Sequence, residues 1–183
     1  MKILYCTRLF SGLETSLLSG VWRPTGVPTI YKIIEELDKK HEVKFIFSVK
    51  DSGSGYISSW GKKKDCTIVI KGLTQSINVL SGIRFFPTWI IRKFAMILRE
   101  VRQNTLVIFS VIRFKPDVIY CDHANIIIAA ILSRYQNRIP VVFRVMGVYP
   151  FMRQSLDPKS IIHKVYKWAY CSPFDLVICT QDG

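Results

Sequence analysis

Acidic residues are scarce in this sequence: 13 Asp and Glu stand against 26 Lys and Arg, which leaves a formal net charge of +13. Such a chain attracts anions at neutral pH. The charge therefore favours nucleic acid, an acidic lipid surface or a phosphorylated substrate as partner. The length of 183 residues and the 49% hydrophobic content predict one domain, 1–183, with a sizeable core, and argue against global disorder.

Cysteines with the spacing of a metal site are absent. The 5 cysteines are scattered along the chain and no Cys-x-x-Cys pair occurs, so the sequence predicts neither a zinc site nor a disulfide framework. Three of them lie in apolar, strand-like runs, where a thiol packs as a small hydrophobic group: Cys6, Cys121 and Cys179. We expect reduced thiols and a cytoplasmic location.

Long hydrophobic runs and several known motifs are also missing. The central run 106–112 is bounded by Arg102 and Arg113 and is far shorter than the roughly 20 residues of a spanning helix. No secretory signal is visible. The first apolar run is not followed by Gly-x-Gly-x-x-Gly, which disfavours a dinucleotide-dependent enzyme. Helix-turn-helix, RNA-recognition and zinc-finger patterns are absent, which argues against nucleic acid as the partner.

Residues 1–40 are typical of a strand, a glycine-containing loop and a helix. Residues 3–7 are apolar and β-prone, the loop 11–26 follows, and Pro28 suits a first helical turn. Apolar residues then recur at helical spacing: Val27, Ile30, Ile34 and Leu37. A helix that opens from such a loop directs free N–H groups at whatever lies above the sheet. This predicts a place to hold an anion or a sugar hydroxyl.

Strand and helix patterns alternate along the rest of the chain. Strands are predicted over 42–48, 67–70, 117–121, 140–145 and 175–180. Helices are predicted over 83–115 (as one or two), 124–135, and 157–170 with Asp157 as N-cap. The alternation predicts an α/β, Rossmann-like, three-layer domain with a mainly parallel sheet covered on both faces. A ligand site is then expected beyond the carboxyl ends of the strands, at 7–11, 48–52, 122–125, 144–149 and 180–183.

Four segments in this order resemble the N-terminal, acceptor-side domain of GT-B fold glycosyltransferases of the family-4 type. They are MKILYCTRLF with TGVPTIYKIIEEL, KPDVIYCDHAN, IPVVFRVMGVYP and FDLVICTQDG, and together they span essentially the whole chain. Two positions depart from the family pattern. Thr25-Gly26 stands where Gly-Gly is common, and Met146 stands where a histidine often precedes the glycine. His123 is then the remaining imidazole near the expected cleft.

The resemblance implies one lobe of a two-domain enzyme that transfers a sugar from a nucleotide sugar to a lipid-linked or polysaccharide acceptor. The C-terminal domain that binds the donor has no counterpart here, so a missing donor-binding domain or partner subunit is implied, and the isolated chain is expected to be inactive. No metal and no cofactor beyond the nucleotide-sugar substrate are implied. A peripheral position at the inner face of the cytoplasmic membrane is expected. The alternative function is a non-enzymatic basic module that binds anionic membrane or nucleic acid.

Candidate catalytic residues follow the fourth predicted strand. Asp122 beside His123 pairs a carboxylate with an imidazole, which can orient a sugar hydroxyl or take its proton; alternatively Asp122 only caps the following helix. Arg144 is unusual because a guanidinium inside an apolar strand needs a partner. Its partner is either a phosphate-bearing substrate or a structural ion pair with Asp122 or Asp117.

Candidate substrate-binding residues lie in two loops. Arg23, Thr25 and Gly26 precede the first helix and are suited to contact an anion or a hydroxyl, although Arg23 alone is equally explained as a solvated loop charge. Gly147 and Tyr149 open the loop after the fifth predicted strand, where glycine permits close backbone approach. A simple turn is the alternative for that loop.

The basic segment 84–115 is a candidate membrane contact. Large apolar residues and arginines share one side of the predicted helix: Phe85, Trp89, Arg92, Met96 and Arg99. That combination is typical of an interfacial helix, and each basic residue near an anionic bilayer contributes about 1 kcal/mol. The opposite side is predicted to face the sheet, and its apolar residues are Ile90, Phe94, Ile97 and Val101. A core helix in which Trp89 packs against a neighbour is the alternative.

Overall fold

The computed structural model describes residues 1–9, 12–13, 16, 21–25, 28–48, 65–70, 73–80, 89–135, 138–147 and 150–180. The strands are β1 (Lys2–Arg8), β2 (Glu42–Ser48), β3 (Asp65–Ile70), β4 (Leu73–Leu80), β5 (Val118–Asp122), β6 (Val141–Met146) and β7 (Leu176–Thr180). The helices are α1 (Pro28–Lys40), α2 (Trp89–Phe114), α3 (Ile126–Tyr135), α4 (Pro150–Leu156) and α5 (Ile161–Tyr170). A short 3-10 turn, His123–Asn125, joins β5 to α3.

The described strands form one sheet in the order β3-β4-β2-β1-β5-β6-β7. Every neighbouring pair is parallel except β3 with β4, which is an antiparallel hairpin at one edge. The predicted α/β architecture with a mainly parallel sheet is therefore confirmed. β4 was not predicted, because its sequence LTQSINVL has no continuous apolar run of the kind that marks the other strands.

The strands β1, β2, β5 and β6 are buried on both faces of the sheet, which explains why they are apolar at consecutive positions. In β1, Ile3 and Tyr5 pack on the α1 side, whereas Leu4 and Cys6 pack on the side of α2 and α3. Full burial of a large apolar side chain stabilises the fold by about 1.5–3 kcal/mol. These two clusters fix β1 at the centre of the molecule.

α5 begins later than predicted. Asp157 is not its N-cap, because residues 150–156 form the separate helix α4 and the capping residue is Ser160. The Ser160 hydroxyl accepts a hydrogen bond from the backbone N–H of His163 at 3.2 Å. Both Asp157 and Ser160 are residue types that commonly cap helices. The structure uses Ser160, which directly precedes the amphipathic helix.

α2 ends where Pro116 requires it to, since the residue before a proline is disfavoured in the helical region. Lys115 takes a left-handed conformation, φ 50°. Its N–H still donates to the carbonyl of Val111 at 2.9 Å. The predicted end of this segment is therefore confirmed, and a single helix is found over Trp89–Phe114.

The face that α2 turns to the sheet is not the predicted one. Ile97 and Val101 are 61% and 55% exposed, so their predicted contact with the sheet is wrong. The buried positions are Gln103, Val107 and Val111. The helix is apolar on two sides, and the side that includes Gln103 is buried because its amide finds a partner in the interior.

Within the described residues, the helices include none that is both long enough and apolar enough to cross a membrane.

Candidate functional site

The candidate site lies at the edge of the sheet where the parallel strands β1, β5, β6 and β7 end. In register, Cys6 of β1 is opposite Cys121 of β5, Asp122 is opposite Arg144 of β6, and Met146 is opposite Thr180 of β7. The predicted positions Asp122, Arg144 and Gly147 are thus brought to one edge. In open parallel sheets this edge is where ligands bind.

Asp122 ties β5 to β1. Its Oδ2 accepts a hydrogen bond from the backbone N–H of Arg8 at 2.6 Å and another from the Thr7 hydroxyl at 3.0 Å. Its Oδ1 accepts from the Asn125 side-chain amide at 2.6 Å. Although Asp122 precedes the 3-10 turn, its side chain makes no capping bond to the backbone there. The carboxylate thus orders the strand ends.

A buried polar network extends from Asn125 towards β2 and α2. The Asn125 Oδ1 accepts from the Gln103 amide at 2.7 Å and from the Ser48 hydroxyl at 3.4 Å. Sequence reasoning missed these residues. Thr7 and Ser48 could have been predicted, because each is a hydroxyl residue at the end of an apolar strand. No sequence pattern predicts the contact of Gln103 with Asn125.

His123 is half-buried and contacts α5. Its Nδ1 lies 3.0 Å from the Tyr170 hydroxyl, and the two rings are stacked at 6.0 Å. The hydrogen bond engages Nδ1 and fixes the orientation of the imidazole ring. Asp122 and His123 are adjacent in sequence but bond to different elements, β1 and α5.

Arg144 is buried, with 4% of its surface exposed. Its Nε has no hydrogen-bond partner among the described residues. Within the same residues, no carboxylate forms an ion pair with its guanidinium. Asp117 is engaged elsewhere, because its Oδ2 accepts from the backbone N–H of Lys2 at 2.6 Å. The predicted structural ion pair with Asp122 or Asp117 is therefore not found.

Two buried phenols accompany Arg144 on the same face of the sheet. The rings of Tyr5 and Tyr120 stack at 4.5 Å with 6° between their planes. Neither hydroxyl has a hydrogen-bond partner in the described part of the chain. Burial raises the pKa of Tyr5 well above its usual value, and the charges of Tyr120 and Asp122 add to that effect. Burial also raises the pKa of Tyr120, while the Arg144 guanidinium opposes the shift.

The first loop is closed by a tight contact between Gly12 and Thr25. The Thr25 N–H donates to the Gly12 carbonyl at 3.1 Å. A Cβ on Gly12, which has φ +95°, would lie 1.9 Å from the Thr25 carbonyl oxygen, so only glycine fits. Arg23 is exposed and its backbone N–H donates to the Ser16 hydroxyl at 2.9 Å. The predicted site residue Gly26 lies outside the described residues.

Gly147 stands over open space. Its φ is +74°, and among the described residues no atom lies within 4 Å of the position that a Cβ would take. Its N–H donates to the Thr180 carbonyl at 3.1 Å, which holds the start of this loop against β7. The predicted contact residue Tyr149 lies outside the described residues. The space above Gly147 permits a ligand to approach the backbone.

Metal ligands and reactive thiols are not assembled at this edge. In the described ranges, no cluster of three or more His, Cys, Asp or Glu side chains is placed to hold a metal ion. Cys6 and Cys121 are free, buried and opposite each other on β1 and β5. A hydrogen bond with Cys6 and burial raise the pKa of the Cys121 thiol, which keeps it protonated and unreactive.

The predicted membrane contacts are only partly described. Phe85 lies outside the described residues. Trp89, Arg92, Met96 and Arg99 belong to α2 by their backbone, and their side chains are not among those described. Their contact with a membrane stays a prediction.

Comparison with known proteins finds similarity of fold. No protein-family model matches the chain, and no curated protein is similar to it in sequence. Among solved structures, it is similar to the spinosyn rhamnosyltransferase SpnG complexed with thymidine diphosphate, at 12% identity and TM-score 0.44 over 99% of this chain and 45% of that one. It is also similar to the calicheamicin glycosyltransferase CalG4, at 13% identity and TM-score 0.44 over 97% of this chain and 47% of that one.

A third similar structure is the glycotransferase of kitacinnamycin, at 14% identity and TM-score 0.41 over 91% of this chain. The chain spans 38–47% of the length of these three structures. At these identities and TM-scores, the three matches carry no conclusion about the chemistry of this chain.

Proposed function

We propose that this chain is the acceptor-side lobe of a glycosyltransferase of the family-4 type that works at an anionic membrane surface. The sugar would come from a nucleotide sugar and pass to a lipid-linked or polysaccharide acceptor. The donor would be bound by a second unit, either a further domain or a partner subunit. In this proposal the isolated chain transfers no sugar, because half of the cleft is supplied by that unit.

The observation that carries the proposal is the buried guanidinium of Arg144, whose Nε has no hydrogen-bond partner among the described residues. Taking an ion out of water costs several kcal/mol unless its hydrogen-bonding groups are satisfied, so a ligand that accepts from the Arg144 Nε would offset part of that cost. Tyr5 and Tyr120 bring two further hydroxyls without partners to the same face. A phosphate group on the acceptor or the donor matches these donors, because its oxygens accept several charge-assisted hydrogen bonds at once.

The neighbouring residues have separate roles in the proposed site. His123 is the candidate base for the acceptor hydroxyl, with Tyr170 orienting its ring. Asp122 acts as a positioning residue, since its oxygens hold Thr7, Arg8 and Asn125. The acceptor would enter over Gly147. Arg23, Thr25, Gly26 and Tyr149 remain candidate contacts at the rim.

The membrane part of the proposal rests on the exposed side of α2. We define the α2 outer face as Ile97, Val101, Ile108, Phe109 and Ile112, all of which are exposed. Exposed arginines, Arg102 and Arg113, flank this face. An apolar stripe bordered by cations suits the interface of an anionic bilayer.

α2 also connects that face to the candidate site. Gln103 bonds to Asn125 at the carboxyl edge of the sheet. The helix begins at Trp89, which precedes Gln103 by about 20 Å of helix at 1.5 Å per residue. A bilayer that contacts the outer face would therefore lie beside the opening of the site, where a lipid-linked acceptor enters.

The test is calorimetric titration of the chain with farnesyl phosphate, a short analogue of a lipid-linked acceptor. Arg144→Met should weaken binding about 30-fold, because charge-assisted hydrogen bonds contribute roughly 2 kcal/mol. Arg144→Lys should retain part of the affinity, and Lys40→Met, at an exposed lysine next to the amino end of β2, should leave it unchanged. Equal affinity of Arg144→Met and the parent chain would refute the assignment.

Urea unfolding of Arg144→Met without ligand distinguishes a binding role from a structural one. Replacing a buried guanidinium that is only partly hydrogen-bonded by an apolar side chain should leave stability unchanged or raise it by about 1–4 kcal/mol. If Arg144 instead held an unseen structural partner, the variant should lose roughly 3–5 kcal/mol. That loss of stability would show that Arg144 has a structural role, and it would remove the main support for the proposed site.

A further inference from the structure

A cavity of about 670 Å³ lies at the opposite edge of the sheet from the candidate site. It is formed where the end of α2 meets the segment that follows α3. The residues that decide its chemistry are Val111, Ile112, Lys115, Tyr135, Arg138 and Ile139. Nothing in the proposed sugar transfer uses this cavity.

The cavity combines an apolar wall with two cations. Val111, Ile112 and Ile139 supply the wall, and Lys115 and Arg138 supply the charges. Among the described residues, no acidic side chain lines it. The nearest carboxylate in sequence, Asp117, accepts the backbone N–H of Lys2. The lining is therefore complementary to a ligand that carries both a negative charge and hydrocarbon.

The backbone places the lysine at the rim. The left-handed conformation of Lys115, φ 50°, ends α2 and turns the chain towards Pro116. Tyr135, the last residue of α3, is 79% exposed and adds a phenol to the same rim. Lysine, arginine and tyrosine side chains are all hydrogen-bond donors to phosphate oxygens.

The cavity is continuous with the α2 outer face. Ile112 belongs to both, and it is 64% exposed. The outer face covers residues 97–112, about 22 Å along the helix, and its last residue, Ile112, lines the cavity. A bilayer that lies along this face would bring lipid head groups to the cavity rim.

We propose that this cavity binds the phosphate head group of an anionic phospholipid. Lys115 and Arg138 hold the phosphate, the Tyr135 hydroxyl donates to it, and Ile112 and Ile139 contact the first carbons of the acyl chains. The proposal rests on the membrane position in the proposed function. It adds a discrete lipid site at the C-terminal end of α2, which is the end far from the carboxyl edge of the sheet.

The test uses dihexanoyl-phosphatidylglycerol below its critical micelle concentration, so that single lipid molecules are titrated in the absence of a bilayer. Binding is followed by calorimetry and by the methyl NMR signals of Ile112 and Ile139. Lys115→Met/Arg138→Met should bind about 30-fold more weakly, because each basic residue near an anionic lipid contributes roughly a fivefold factor. The control Arg153→Met/Lys164→Met removes two exposed charges elsewhere and should bind as the parent chain does.

Inorganic phosphate and dihexanoyl-phosphatidylcholine complete the experiment. The proposal expects both to bind at least about tenfold more weakly than the phosphatidylglycerol, since one lacks the hydrocarbon and the other the net charge. Phosphate binding of equal strength would mean a simple anion site, and it would overturn the lipid assignment. Unchanged affinity of Lys115→Met/Arg138→Met, or an equal loss in the control, would overturn it too.

Failure here is distinguishable from failure of the proposed function. Lys115 and Arg138 lie at the amino edge of the sheet, whereas Arg144 lies at the carboxyl edge. Farnesyl phosphate binding that depends on Arg144 would survive the loss of the head-group site. The reverse pattern would leave a lipid-binding domain without the acceptor site.

Discussion

Arg144 is the residue whose burial is hardest to explain by the stability of the fold alone. Its strand neighbours Phe143 and Val145 are buried apolar residues, and an apolar side chain at position 144 would complete the α1 side of the sheet equally well. The guanidinium instead occupies a position where its Nε lacks a partner among the described residues. Stability alone does not account for a buried cation of this kind, which is why the proposed site is built around it.

The stacked phenols make a residue-scale prediction about alkaline pH. Tyr5 and Tyr120 have pKa values raised by burial, so above about pH 10 the unfolded chain loses these protons while the folded chain retains them. Stability should therefore be complete below pH 10 and fall as pH rises further, by up to about 1.4 kcal/mol per pH unit for each phenol. Urea unfolding between pH 8 and pH 11.5 measures this decline.

The variant Tyr5→Phe/Tyr120→Phe should flatten the decline and leave stability near pH 7 unchanged or higher, because neither hydroxyl has a partner to lose. Tyr135→Phe, at an exposed phenol, is the matched control and should keep the decline. An identical pH profile for the parent chain and the double variant would contradict this account of the pair.

Single residues show how far the sequence could be interpreted. The positions of Asp122, Arg144 and Gly147 followed from strand ends, because a continuous apolar run marks where a strand stops and what comes next. The bonding partners of Asp122 did not follow, since Thr7 and Arg8 are more than 110 positions away in the chain. Hydrogen-bond partners on neighbouring parallel strands depend on strand order and register, and local sequence patterns predict neither of these.

At the scale of elements, α2 is the part of the chain whose orientation decides the membrane proposal. Ile97→Asp/Val101→Asp should change the free energy of unfolding by about 0.5 kcal/mol or less, because both side chains are exposed. The same variant should bind anionic vesicles at least about tenfold more weakly, since it puts charge into the apolar stripe. Vesicle co-sedimentation and urea unfolding measure the two effects.

Two comparison variants make this test decisive. Val107→Asp places a charge at a buried position of the same helix and should unfold the chain. Trp89→Asp/Met96→Asp probes the membrane contacts that the sequence predicted. If that variant alone released the chain from vesicles, the sequence-predicted side would be the membrane contact, and the α2 outer face would not.

The elements themselves were predictable where one periodicity dominated. β1, β2, β5, β6 and β7 are apolar runs bounded by polar residues, and each was found close to its predicted position. α2 was found, but its rotation was not, because it carries apolar stripes on two sides and hydrophobicity does not choose between them. The contact of Gln103 with Asn125 favours one rotation, and that contact forms only in the folded chain.

At the scale of the whole molecule, the fold separates two kinds of surface. The carboxyl edge of the sheet carries Arg144 and His123, and the amino edge carries the cavity with Lys115 and Arg138. α2 spans both edges with one exposed apolar side. In the proposed arrangement, a single helix contacts the lipid and passes beside the opening through which the acceptor enters. The net charge of the sequence does not predict this arrangement.

The net charge of +13 leaves one competing partner, nucleic acid, and salt dependence separates it from a bilayer. Binding to nucleic acid is driven by counterion release and falls by about 10³-fold or more between 50 and 200 mM salt when several phosphates are contacted. A membrane contact that includes the α2 outer face also buries apolar surface, which salt does not screen. We expect vesicles with 30% phosphatidylglycerol to retain the chain at 200 mM salt, while RNA and duplex DNA release it in filter binding. Submicromolar binding to either nucleic acid at that salt, together with loss of vesicle binding, would favour the basic binding module over the sugar-transfer lobe.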